Sequence, residues 1–253
     1  MSVHYRLDGF LLERIHPNGA YEAGVYAAAY RLLDAANMMG YLFVSFLLPY
    51  ITKQWSEEKD IETVVLGNRH LLLMFSITLT IVVFFLAPWI QQVLYHHNDV
   101  KASKVLQWCM PALIGYSLVN IYGTIMTATG QILPFCYITL ISVVINIVLN
   151  FLLIPSLGAK GSCIAALASQ GFCGITAMLY IKQKAGIRIH FRSLVIYIFT
   201  AAILSGFLNW GNNLQVSKWL LITAAGMITL LIMILTKLFS IKTWILSMRR
   251  ADV

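Results

Sequence analysis

The chain has 253 residues, 59% of them apolar and only 11% charged, with a net charge of +8. Soluble domains carry about 45–50% apolar and about 25% charged residues, so 18 basic and 10 acidic side chains are too few to clothe a water-exposed globule of this size. The positive balance does not indicate nucleic-acid binding, because the basic residues lie between apolar runs and do not gather on one polar face.

The first 20 residues, with Arg6, Asp8, Glu13 and Arg14 in one short apolar stretch, are too short to span a bilayer. Val3, Leu7, Phe10, Leu11 and Ile15 repeat at helical spacing. Two readings follow: an amphipathic helix lying at the interface, or the tail of a spanning helix that begins upstream. No charged n-region, apolar core and small-residue cleavage site indicate a secretory signal.

A span of the hydrocarbon core takes about 20 mostly apolar residues. Seven such runs follow, over approximately residues 23–50, 71–94, 105–128, 133–154, 161–181, 193–210 and 218–239. Pro49, Pro88, Pro111, Pro134 and Pro155 fall within or at the edges of runs and predict kinks or helix ends. Cys109, Cys136, Cys163 and Cys173 lie in apolar stretches without a CxxC pair and read as small hydrophobes. Lys and Arg number 11 on the side of the connections after the first, third, fifth and seventh runs and 6 on the other. Arg69 is counted there as a loop residue. By the positive-inside rule, the C-terminus and the KQKAGIRIHFR loop are expected in the cytoplasm.

Arg31 and Asp34 in the first run are three residues apart, on one helical face. Charges in a span are costly and normally face a bundle interior or wet cavity, so the two form either an orienting ion pair or part of a cavity lining. Asn37 is expected to continue their stripe. Arg6 and Asp8 form a second charged pair. Asn120, Thr124, Thr127, Gln131, Asn146 and Asn150 are the uncharged polar groups of the third and fourth runs, where interhelical hydrogen bonding is the ordinary role. Gly158, Gly161, Ala165, Ala168, Gly171 and Gly174, at three- and four-residue steps, predict close helix packing in the fifth. His96 and His97 are read as solvated loop residues; no zinc spacing, Walker A, GxSxG or HExxH is present, and neither a metal, a cofactor nor an enzyme activity is expected.

The stretch YEAGVYAAAYRLLDAANMMGYLFVSFLLPYITKQ resembles the opening of the C-terminal lobe in polysaccharide flippases (Wzx-like, O-antigen) of the multidrug/oligosaccharidyl-lipid/polysaccharide exporter superfamily. There a "G-x-Y-x-A-A-Y-R/K-L" run begins the eighth helix. YRLDGFLLERI is similar to the end of their seventh helix, and VVINIVLNFLLIPSLGAKGSCIAALASQ to their eleventh and twelfth. The likeness covers about residues 5–185, and the last two runs match the extra helices of fourteen-helix members.

The resemblance implies an all-α polytopic membrane bundle, about seven transmembrane helices plus a short leading one, forming one lobe of a two-lobed transporter. Residues 1–20 would be the truncated or interfacial helix, 21–190 the five-span lobe, and 191–253 two additional spans with a basic tail. Such a transporter turns over undecaprenyl-diphosphate-linked oligosaccharide in the bacterial inner membrane by alternating access. Its partners would be the lipid-linked oligosaccharide, membrane lipid, and a missing N-terminal lobe or a second copy. Arg31 and Arg6 could attract the diphosphate, Asn37, Asn120 and Asn150 the sugar hydroxyls, and Asp34 or Asp8 a coupling proton or sodium ion. The rival readings are a cation-coupled multidrug antiporter of the same superfamily, a membrane-embedded glycan ligase or polymerase, and a non-functional fragment. The ligase reading needs a long outer loop, and YHHNDVKASK is too short.

Overall fold

The structure is a computed structural model that describes residues 2–57, 61–96, 99–185 and 191–236, excluding the side chains of 2–6, 63, 185 and 191. Among them the backbone forms only helices: α1 (Ser2–Ile15), α2 (Gly19–Ser56), α3 (Glu62–Tyr95), α4 (Val100–Cys109), α5 (Ala112–Ala128), α6 (Ile132–Leu157), α7 (Ala159–Ala185), α8 (Phe191–Asn213) and α9 (Lys218–Leu235). Among the described residues, seven segments are long and apolar enough to cross a membrane, α4 and α5 together making one of them. That span breaks at Pro111, which has no N–H to donate and cannot continue the α4 hydrogen-bond ladder. The Thr80 hydroxyl donates to the Met110 carbonyl at the break, 3.2 Å away.

Because lipid is as apolar as leucine, these helices associate through close packing and interhelical hydrogen bonds. α5 is the central element. Gly115 lies so close to α7 that a Cβ there would sit 2.9 Å from the Gln170 carbonyl carbon, and one on Gly174 of α7 would sit 2.5 Å from Leu118. Of the predicted small-residue stripe, Gly171 and Gly174 thus meet α5, whereas Gly161 packs against Leu153 of α6 and Ala168 is exposed; α2 lies on another side of α5 through Tyr26, Ala29, Leu33 and Ala36 against Leu113 and Tyr116. α8 and α9 pack on α3, through Val82 and Leu86 against Leu204, Leu208 and Leu221.

α1 packs into the bundle: Leu12 and Asp8 are buried, and Asp8 reaches α2 and α6. Arg69 departs from expectation. α3 begins at Glu62, so Arg69 lies within a helix and only 3% of it is exposed. Positions 59, 97, 186–190 and 237–253, which include the basic tail and His97, lie outside the described residues.

Candidate functional site

Helix α2 has two unlike faces. Val25, Tyr26, Ala29, Leu33, Ala36, Asn37 and Gly40 turn inward. Gly24, Ala27, Arg31, Asp34 and Met38, spaced by three or four, turn outward and are exposed. Arg31 and Asp34 share a face as the spacing predicts, but no ion pair joins them among the described residues. The contrast with α6 is instructive: its exposed side chains include Leu133, Leu140, Val144, Val148, Phe151 and Leu152, a face suited to lipid. A charged residue at mid-bilayer costs at least about 2.5–3.5 kcal/mol, so the outward face of α2 suits water or another protein surface.

Asn37 does not continue that stripe. It is buried, and its carboxamide oxygen accepts from Asn120 Nδ2 at 3.0 Å. The inward face of α2 meets α5 there, and Gly40 permits the contact: a Cβ at position 40 would sit 2.6 Å from Asn120 Nδ2. Thr124 and Thr127 donate to backbone carbonyls one turn back on α5, and Gln131 accepts from the Tyr180 hydroxyl.

Asp8 and Asn150 form a third, wholly internal group. One Asp8 oxygen accepts from Tyr26 Oη and the other from Asn150 Nδ2, each at 2.8 Å. Asn150 Nδ2 also approaches Asn146 Oδ1 at 3.1 Å, and its oxygen accepts from Ser162 Oγ at 2.8 Å. Ser142 donates to the Ser169 carbonyl next along α6. Among the described side chains the network joins α1, α2, α6 and α7 without a lysine or arginine. Carboxylate, carboxamide and hydroxyl oxygens of this kind suit a proton or a hard cation, although no cluster of three or more His, Cys, Asp or Glu residues exists among the described residues. The Arg6 side chain lies outside the described residues.

Two groups escape the sequence reading. At one end of the bundle, buried Glu22 accepts from the Ala159 backbone N–H at 2.8 Å and bonds Lys101, while Tyr21 Oη donates to Asp99 at 2.5 Å. Asp99 caps α4 through the Lys101 N–H, 2.8 Å away. At the other end, Arg69 and His70 of α3 meet Tyr122 of α5 and Tyr197 of α8. Polar residues flanking apolar runs are the only sequence signal for either group.

Residues 18–230 match the family described as "Lipid II flippase MurJ". The chain belongs to that family. It is therefore a multi-pass membrane protein of a lipid-linked glycan flippase family within the exporter superfamily. It is also similar, at 26% identity over 193 residues, to the probable low-salt glycan biosynthesis flippase Agl15 of Haloferax volcanii. That alignment takes in 73% of this chain and 40% of Agl15, so the chain spans less than half the length of this curated relative. Within the MurJ family match lie both faces of α2 and all of α3 to α8.

Proposed function

We propose that this chain forms one lobe of a flippase that carries undecaprenyl-diphosphate-linked oligosaccharide across the bacterial cytoplasmic membrane by alternating access, paired with a second lobe. The observation that carries this reading is the outward face of α2, where Arg31 and Asp34 are exposed within a long apolar helix and bond no other described group. A cavity wall needs such a face and a lipid-facing surface does not tolerate one. Arg31 would attract the diphosphate, whose oxygens its planar guanidinium can engage in pairs. Asp34 would balance it in the empty cavity, and Asp8 would carry the coupling proton or cation inside the lobe.

The MurJ match and the name of the archaeal relative both support a lipid-linked saccharide as cargo. The excess of Lys and Arg beside residues 182–192 supports a cytoplasmic C-terminus.

The test is complementation in a strain deprived of its own flippase. The 253-residue chain alone should not restore surface glycan; joined to a second lobe it should, and Arg31→Leu in that protein should abolish the gain at equal membrane abundance. Restoration by the chain alone would show that two copies make the cavity. Retained transport by Arg31→Leu would remove Arg31 from the cargo site.

A further inference from the structure

Arg69 is only 3% exposed, and two of its nitrogens, Nε and Nη2, are buried without a hydrogen-bond partner. These two N–H groups lie side by side on one edge of the guanidinium, the edge that engages a carboxylate or phosphate with two parallel bonds. The opposite nitrogen, Nη1, is held by the Tyr122 hydroxyl at 3.4 Å. The side chain is thus fixed on one side, with the Tyr197 hydroxyl also beside it, and its anion-binding edge makes no hydrogen bond. Leaving such a charge unpaired in a buried position is strongly unfavourable, which argues for an occupant.

The depth of the residue identifies the chemistry. Asn68, Arg69 and His70 directly precede LLLMFSITLTIVVFFLAPWI, 20 residues that cross about 30 Å of hydrocarbon. Arg69 therefore sits where hydrocarbon gives way to phosphate headgroups. Its neighbour His70 bonds Tyr197 of α8 at 2.6 Å, and around Tyr197 the side chains of Leu194, Ile198 and Phe199 are exposed and apolar. The α3–α8 seam accordingly opens toward acyl chains. Lys53, Lys182, Lys184 and Arg192 at the same end are exposed and raise the local positive potential. Basic pockets between spanning helices are suited to anionic lipid headgroups.

We infer that Arg69, with Tyr122, His70 and Tyr197, forms a binding site for the phosphate of an anionic phospholipid in the α3–α8 seam, separate from the exposed face of α2. The lipid fastens the α8–α9 pair to the lobe.

The test uses the purified full chain in a phosphate-free neutral detergent, with thermal unfolding followed by intrinsic fluorescence and retained lipid by native mass spectrometry. Phosphatidylglycerol should raise the unfolding midpoint by several degrees, and digalactosyldiacylglycerol, which lacks phosphate, should not. Inorganic phosphate is the third arm. A shift with it equal to that with phosphatidylglycerol assigns the same nitrogens to free phosphate. Arg69→Met should match the original chain in the glycolipid and lose the phosphatidylglycerol shift. Arg69→Lys, which keeps the charge without the paired edge, should retain about tenfold less lipid, and Lys104→Gln at the far end should behave as the original chain. Equal phosphatidylglycerol responses in the original chain and either Arg69 variant, or no response to either phosphate source, would overturn the inference.

Discussion

Asn150 donates its carboxamide to the Asp8 carboxylate at 2.8 Å across 142 positions of sequence, joining the first helix to the sixth. Tyr26 completes the grip from the second helix. Asp8→Asn would replace an acceptor by a donor facing either Asn150 Nδ2 or Tyr26 Oη. A buried polar group left unmatched costs about 1–3 kcal/mol, so the unfolding midpoint in detergent should drop. Tyr26→Phe, which removes one donor and leaves Asn150 in place, should cost less. Equal midpoints for Asp8→Asn and the original chain would show that the network contributes nothing.

Gly158 connects α6 to α7 with φ +57° and ψ −135°, a conformation almost confined to glycine. A Cβ there would also sit 2.5 Å from the Glu22 carboxylate. Gly158→Ala is expected to cost about 1–3 kcal/mol. Gly171→Ala, on the same helix pair but with open space around its Cβ position, should be close to neutral. A chain that tolerates both equally would contradict the geometry.

The Tyr21 hydroxyl, and after it the backbone N–H groups of Lys101 and Ala102, hold the Asp99 carboxyl below its usual range despite some desolvation. A depressed carboxyl stabilises the folded chain above its unfolded pKa of about 3.9 and loses that contribution as pH falls through the lower folded value. The midpoint of Asp99→Asn should therefore lie below that of the original chain at pH 7 and converge with it as the solution is acidified below about pH 4. A gap that persists unchanged through acid would mean that the charge is not its source.

Arg31 and Asp34 supply a fourth test. Since they are not paired, deleting both charges should not rescue the loss caused by Arg31→Leu. In a complete transporter we expect at least about a tenfold loss of flipping for Arg31→Leu and for the double Leu variant, in line with about 1.5–3 kcal/mol for a hydrogen bond to a charged group. Arg31→Lys should keep part of the activity. A double variant that transports normally would make the two charges a structural pair.

The fold was legible because lipid demands long apolar runs: six of the seven runs became single helices at the expected places over their described residues, and the third became the α4–α5 pair. Helix ends were less so. The run starting at Leu71 marks where hydrocarbon begins, whereas α3 itself begins nine residues earlier and carries Arg69 into the bundle. The candidate site was legible in part. Arg31 and Asp34 share the face that their spacing requires, but Asn37, about 120° around the helix from Arg31 at roughly 100° per residue, belongs to the inward row with Leu33 and Gly40. The Asp8–Asn150 contact depends on how α1 docks, which no local pattern in residues 1–20 encodes.

The two ends of α2 are restrained by different kinds of force. At its start, Glu22 is tied to the beginnings of α4 and α7, and Tyr21 to Asp99. Near its finish, Leu47 and Ile51 rest among apolar neighbours that can slide, and Pro49 leaves one rung of the ladder unmade. In mechanical terms the helix is a beam clamped at one end and resting on a bearing at the other. Load applied to the charged face at Arg31, nearer the clamp, would be delivered as bending near Pro49, so that face would hold its shape while the far segment swings.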